Sequence, residues 1–230
     1  AAHCMLASDW CKQSAIHDYG MADEKITVVP CGANLDQVPM TGEIGSSQQG
    51  NCRLLFLGVD WERKGGAIAL EAFRLLKKEN TSATLRIIGC VPPVEIMPEE
   101  GIEVIPFLDK NKAEGMQQLH QIFLDTDFLL LPTRAECAGI VFCEAAAYGI
   151  PSISTNTGGV GTYVRDGING YALPLAAGAA DYALRISQLW NNQQELTQLK
   201  QQSRQLFEQE LNWDAWGEAF KKIADRLLRS

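Results

Sequence analysis

One stretch limits what this chain can fold into more than any other: residues 127–161, DFLLLPTRAECAGIVFCEAAAYGIPSISTNTGGVG. It opens on the short apolar run FLLL, which reads as a strand buried on both faces. Pro132 ends the strand, and the polar turn 133–138 follows. The pattern then predicts a helix from about Gly139 to Tyr148, stopped by Gly149. A second short strand at 152–154 and the turn Thr157-Gly158-Gly159 complete a strand–loop–helix–strand unit. Glu136 stands just before the helix, and Glu144 lies on it.

This layout suits an elongated, polyhydroxylated anion. The first N–H groups of a helix lack intrahelical partners and sit at the positive end of its dipole. Gly139 has no Cβ to keep an anion from them. Glu136, to one side, can accept hydrogen bonds from sugar hydroxyls. Glu144, about 7.5 Å further along the helix, can accept two from a ribose diol. Carboxylate, N–H cluster and carboxylate thus match sugar, diphosphate and ribose in a row. The turn 157–159 either donates N–H groups to a phosphate or only reverses the chain.

The rest of the chain repeats the strand–helix alternation. Strands are expected at 25–30, 53–57, 83–89, 102–105, 128–131, 152–154 and near 171, with helices over 8–19, 66–78, 112–124, 139–148, 176–190, 194–208 and 213–228. On 66–78 the apolar residues 68, 69, 72, 73, 75 and 76 share one face. Residues 37–51 read as a polar surface loop, and the Pro-rich residues 90–100 as another. Seven strands with intervening helices imply an α/β fold, an open parallel sheet covered by helices on both faces. Ligands bind such sheets beyond the carboxyl ends of the strands, where the loops 57–66, 89–91, 107–109, 132–139 and 155–161 gather. Trp213, Trp216, Phe220, Ile223 and Leu227 recur at helical spacing on the last helix, as a core-facing stripe would.

Composition narrows the partners. A net charge of −8 without a block of like charge argues against nucleic acid. No apolar run approaches the ~20 residues of a spanning helix, and no signal peptide is visible. The seven scattered cysteines read as reduced thiols of a cytosolic protein, packed mostly as small hydrophobes. The chain opens without an initiator Met, in what reads as the middle of a fold, so a domain of a larger protein is expected.

The block from Glu136 to Ile153, ECAGIVFCEAAAYGIPSI, resembles the donor-site signature of family 4 glycosyltransferases, with seven residues between Glu136 and Glu144 (E-x7-E) and Ala138 where Phe is usual. The segment 157–174 resembles the family's next block. FLG followed by KGG at 56–66 resembles the diphosphate-binding block, with Lys64 on the family's lysine and Val59 where an Arg is usual. S-D-W…K-I-T-V-V-P resembles the family's interdomain entry, with Cys31 where Asn is common.

The resemblance implies a single Rossmann-like nucleotide-sugar-binding domain over 1–230, one half of a two-domain GT-B enzyme whose N-terminal acceptor domain lies outside this sequence. The helix 213–230 would cross toward that domain. It implies retaining transfer from a nucleotide diphosphate sugar (UDP-, GDP- or ADP-linked) to an unknown glycan or lipid-linked acceptor, with no required cofactor or metal. Glu136 and Lys64 are the expected catalytic residues. Gly58, Arg63, Lys64, Glu136, Ala138, Gly139, Ile140, Val141 and Glu144 would bind the donor, with Phe107 and Leu108 at its base. Arg63 enters as a weak substitute for the missing Arg, since its side chain is expected to point away from that of Lys64. The implied location is cytoplasmic, with any membrane association through the other domain, and the isolated piece is expected to be inactive. Two other readings stay open: another GT-B sugar-nucleotide enzyme, an epimerase or phosphorylase, or a non-catalytic nucleotide-sugar-binding module.

Asp125-Thr126-Asp127 spells D-x-D, a metal motif of a different glycosyltransferase fold. Here it precedes its strand, at the wrong edge of the sheet. The three histidines, at 3, 17 and 120, lie outside every block, so no metal site is expected.

Overall fold

The computed structural model describes residues 2–40, 44, 50–79, 82–93 and 99–229. Parts of the two expected loops, at 41–43, 45–49 and 94–98, therefore lie outside the described residues.

Two parallel sheets form. β1 (Cys4–Leu6) and β2 (Ile26–Val28) pair with each other across the crossover helix α1 (Asp9–His17). The helix starts where the Ser8 side chain accepts a hydrogen bond from the Cys11 N–H and caps it. The strand expected near residue 26 is thus real but outside the main sheet. Its partner β1 is three residues long, too short for periodicity to reveal, and a short β–α–β unit closes locally before the chain reaches the main sheet.

The main sheet has six strands: β3 (Cys52–Leu57), β4 (Ala83–Ile88), β5 (Ile102–Ile105), β6 (Phe128–Leu131), β7 (Ser152–Thr155) and β8 (Gly170–Leu173). Their order is β5-β4-β3-β6-β7-β8, parallel throughout. All four residues of β6 are fully buried. Since successive side chains point to opposite faces, both faces of the sheet are covered.

The helices are α2 (Gly66–Lys78), α3 (Ala113–Leu124), α4 (Ile140–Ala147), the short α5 (Val160–Tyr163), α6 (Ala179–Asn191), α7 (Gln193–Gln209) and α8 (Trp213–Leu228). α2 buries Ala69, Ala72, Phe73 and Leu76 of the expected face and Leu70 beside it, leaves Ile68 and Leu75 half-buried, and turns Lys77 and Lys78 outward. It packs on α6, and α4 packs on α7. α4 buries every residue from Val141 to Ala147, Glu144 among them. Phe142 alone contributes roughly 2–3 kcal/mol of apolar burial, enough to fix the helix's placement. α8 departs from the core-facing expectation: none of its residues is buried, and Phe220 is 52% exposed with its ring stacked on Trp216.

Candidate functional site

Strand order reverses direction between β3 and β6: from β3 the chain winds outward to β4 and β5, and from β6 to β7 and β8. The loops leaving these two neighbouring strands stand at a topological switch point, the usual ligand position in an open α/β sheet. They are the 58–65 and 132–139 loops that carry Lys64 and Glu136.

The two loops are stitched together by their backbones. Arg134 N–H donates to the Arg63 carbonyl at 2.7 Å, and Thr133 Oγ1 donates to the same oxygen at 3.2 Å. Gly65 adopts a left-handed φ of 75°, and a Cβ there would lie 2.0 Å from the Pro132 carbonyl oxygen. Gly58 has a similar steric reason: the Lys64 stem lies across it, with Cγ 2.8 Å from where a Cβ would be. Lys64 is therefore held along the loop, and its Nζ donates to Glu136 Oε2. Both side chains are nearly buried.

Arg63 corrects an expectation. It does not point away from Lys64's target: Nη1 lies 3.8 Å from Glu136 Oε2 and donates to the Ala135 carbonyl at 3.1 Å. The intervening turn makes this possible, because Asp60 Oδ1 accepts the Arg63 N–H and folds the loop back on itself. Two cations converge on one carboxylate. Val59, where the resemblance would put an Arg, is exposed.

Gly139 caps α4 with φ −84° and ψ 79°, an inverse γ-turn in which Ile140 N–H donates to the Ala138 carbonyl at 3.1 Å. The Ile140 N–H is thus already used, which corrects its expected place among the free donors. The Gly139 and Val141 N–H groups have no acceptor among the described residues. Gly139 also has a packing reason to be glycine: a Cβ would sit 2.2 Å from the Phe142 ring. Ala138 is partly buried against the core.

Glu144 lies on the second turn of α4 and is only 3% exposed. Its one side-chain partner among the described residues is Lys110 Nζ, 3.3 Å from Oε1 and 3.5 Å from Oε2. Burial pushes its carboxyl above the usual range, and Lys110 opposes that rise. Phe107 stands 77% exposed at the same edge, and Leu108 packs partly against the core.

The turn 157–159 holds the Glu136 loop from behind. Gly159 N–H donates to the Glu136 carbonyl at 2.9 Å. A Cβ on Gly158 would meet that carbonyl oxygen at 2.1 Å, and one on Gly159 the Cys137 carbonyl oxygen at 2.0 Å. The turn therefore shapes the site by close backbone contact.

Two features had no signal in the sequence. Lys110 sits in an unpatterned loop and meets Glu144 across 34 positions. Cys11 and Cys137 bring their sulfurs to 3.9 Å across 126 positions. All seven cysteines are free; Cys52, Cys90 and Cys143 are buried, whereas Cys4, Cys11 and Cys31 are half-buried and Cys137 is exposed, so fewer pack as core hydrophobes than expected. Asp127 of the D-x-D lies at the opposite edge, bound to Arg53 and Lys200. No group of three or more potential metal ligands occurs among the described residues, nor any helix long and apolar enough to cross a membrane.

A family model described as "Glycosyl transferases group 1" matches residues 51–192, the segment that holds all of these loops. A D-inositol 3-phosphate glycosyltransferase of Nocardia farcinica is 29% identical over 170 residues, 66% of this chain and 37% of that protein. Among solved structures, a glycosyltransferase from Rickettsia africae superposes with a TM-score of 0.78 at 15% identity, over 99% of this chain and 64% of its own. Anabaena Alr3699/HepE in complex with UDP and glucose superposes with 0.75 at 17% identity, over 98% of this chain and 63% of its own. At these identities the structures establish the shared fold. The chain spans little more than a third of the curated relative and under two thirds of the two solved chains.

Proposed function

The chain belongs to the glycosyl transferases group 1 family, and from that premise we propose that it is the donor-binding half of an enzyme that transfers a sugar from a nucleotide diphosphate donor with retention of configuration and without a metal. The acceptor site and much of the catalytic surface would lie in a second domain outside this sequence, toward which α8 presents its exposed aromatic stripe. The proposal includes a cytoplasmic location.

One observation carries the reading. At the switch point, a lysine–carboxylate pair sits at the N-terminus of α4, and a second, buried carboxylate follows on the same helix. Lys64 has three N–H donors, of which Glu136 takes one. The others, with the Gly139 and Val141 N–H groups, stabilise the charge that develops on the departing diphosphate. Glu136, fixed by Lys64 and Arg63, orients the sugar. Arg63 adds positive charge where Val59 supplies none. Glu144 accepts the ribose diol, and Phe107 lies beside the base.

Calorimetric titration with UDP, GDP and ADP and their sugar conjugates, with and without magnesium, tests this. The UDP named in a similar structure makes the uridine series the first to try. One base series should saturate the site, unaffected by magnesium, with affinity at least ~10-fold lower in Glu144→Ala, the loss of charge-assisted hydrogen bonds. Undiminished affinity in Glu144→Ala overturns the ribose assignment. In the full-length protein, Lys64→Ala should cut turnover by roughly 10²–10³-fold, the effect of removing one preorganised donor. Unchanged transfer there removes Lys64 from the mechanism.

A further inference from the structure

Lys110 has no part in the motifs, yet among the described residues it alone hydrogen-bonds the oxygens of the most deeply buried carboxylate at this edge of the sheet. It belongs to the loop that leaves β5 and carries Phe107. That loop is shaped to deliver it: Asp109 Oδ1 accepts the Asn111 N–H at 3.0 Å, and the Asp109 carbonyl accepts the Lys112 N–H at 3.2 Å. Gly115 lets α3 pack against the same carbonyl, where a Cβ would lie 2.0 Å from its oxygen. Other titratable groups on the neighbouring elements include Cys143 on the same helix, Lys64, Arg63 and Glu136 by the helix's N-terminus, and His120 of α3. His120 is bonded to Tyr148, and Lys64 and Arg63 are drawn to Glu136.

We propose that Lys110 is a positioning residue for donor binding: its ammonium, in contact with both oxygens of the buried Glu144, holds that side chain as a carboxylate for the two hydroxyls of a ribose. The proposal rests on the ribose reading of Glu144 given above. An ionised carboxylate offers about four lone-pair sites, and Lys110 leaves most of them for the diol. A protonated one turns an acceptor into a donor and gives up the charge-assisted bonds, which are about twice as strong as neutral ones. Burial acts in that direction, and Lys110 is the group that opposes it. The base-side loop is thereby coupled to the ribose carboxylate through one side chain.

The experiment measures the affinity of the 230-residue chain for UDP-glucose, GDP-mannose and ADP-glucose between about pH 6 and pH 9, a window in which their phosphates do not titrate. In Lys110→Met, the pH below which affinity falls should move upward by about one unit or more. At the alkaline end affinity should return to within about threefold of the parent, and Lys110→Arg should restore the parent profile. A uniform loss at every pH, or an unchanged profile, overturns the role of Lys110. Glu144→Gln, run alongside, should bind weakly and with no such pH dependence. Parent-like affinity in Glu144→Gln overturns the ribose reading instead, and failure of all three conjugates to bind overturns the donor reading.

Discussion

Among the described residues two carboxylates are buried, near opposite ends of the central strands, and their surroundings differ. Asp127, at the start of β6, accepts from the Arg53 N–H at 3.1 Å, from Arg53 Nε and Nη2 at 2.9 and 3.2 Å, and from Lys200 at 3.0 Å. Burial pushes its carboxyl up, but these partners outweigh burial and hold it below the usual range. Glu144, beyond the other end of the strands, has one cation at longer range, and burial keeps its carboxyl raised. The first carboxylate has its acceptor capacity spent on the fold. The second has capacity left over, which on the reading proposed above a ligand's hydroxyls take up. The contrast separates a lock from a site better than burial or charge does, since both groups are buried and both face a lysine.

The strongest way to break this comparison is Asp127→Ala. Removing one partner of a buried ion pair strands the others, here the Arg53 guanidinium and the Lys200 ammonium. The expected loss is about 3 kcal/mol, the lower end for such changes because both cations keep some contact with water. The folded chain should still bind nucleotide, because the change is at the far edge of the sheet. The sign of the pH dependence follows from the lowered carboxyl. Asp127's contribution is fully present above the unfolded value of about 3.9 and is lost as pH falls through the folded one. Denaturation curves at neutral and acid pH check both points. Equal stability of variant and parent at neutral pH would remove the distinction drawn here.

Gly139→Ala sharpens the comparison at the other end. Its backbone has a φ open to alanine, so the cost comes from contact alone: the new methyl would lie 2.2 Å from the buried Phe142 ring. Overpacking of this kind costs about 1–3 kcal/mol. Because the ring is on α4 itself, its shift should disturb the capping turn and weaken nucleotide binding along with stability. A variant that loses stability but keeps full affinity would show that the turn takes no part in binding.

Much of the site was legible because its geometry is local. Glu136, Gly139 and Glu144 ride on one loop and one helix, so the spacing along the chain fixes their order in space. Lys64 was legible through a short strand–loop–helix block of its own. What sequence could not supply were contacts made by the chain's return. Lys110 comes from a loop with no periodicity, and Arg63's approach to Glu136 depends on a turn held by Asp60. The placement of β2 in a separate sheet was hidden for the same reason, its partner β1 being three residues long. Periodicity also misread α8, since an apolar stripe is the same pattern whether or not this chain covers it.

The smallest expected effect is also the one with the opposite sign. Glu144→Gln removes a carboxyl whose pKa is raised in the folded state by burial and only partly relieved by Lys110. Below the unfolded value of about 4.3 the group is neutral in both states and imposes no penalty; as pH rises through the unfolded and then the folded value, folding must carry its deprotonation. The amide carries no such burden, and the exposed Lys110, 43% accessible, regains water. Stability should therefore rise at neutral pH by about 0.5–1 kcal/mol, the scale found when a strained functional group is relieved, and the gain should vanish in acid. Thermal unfolding of parent and variant at both pH values measures it. If Glu144→Gln instead destabilises the chain as Asp127→Ala does, Glu144 is a second lock, and the spare capacity that marks it as a ligand's partner is not there.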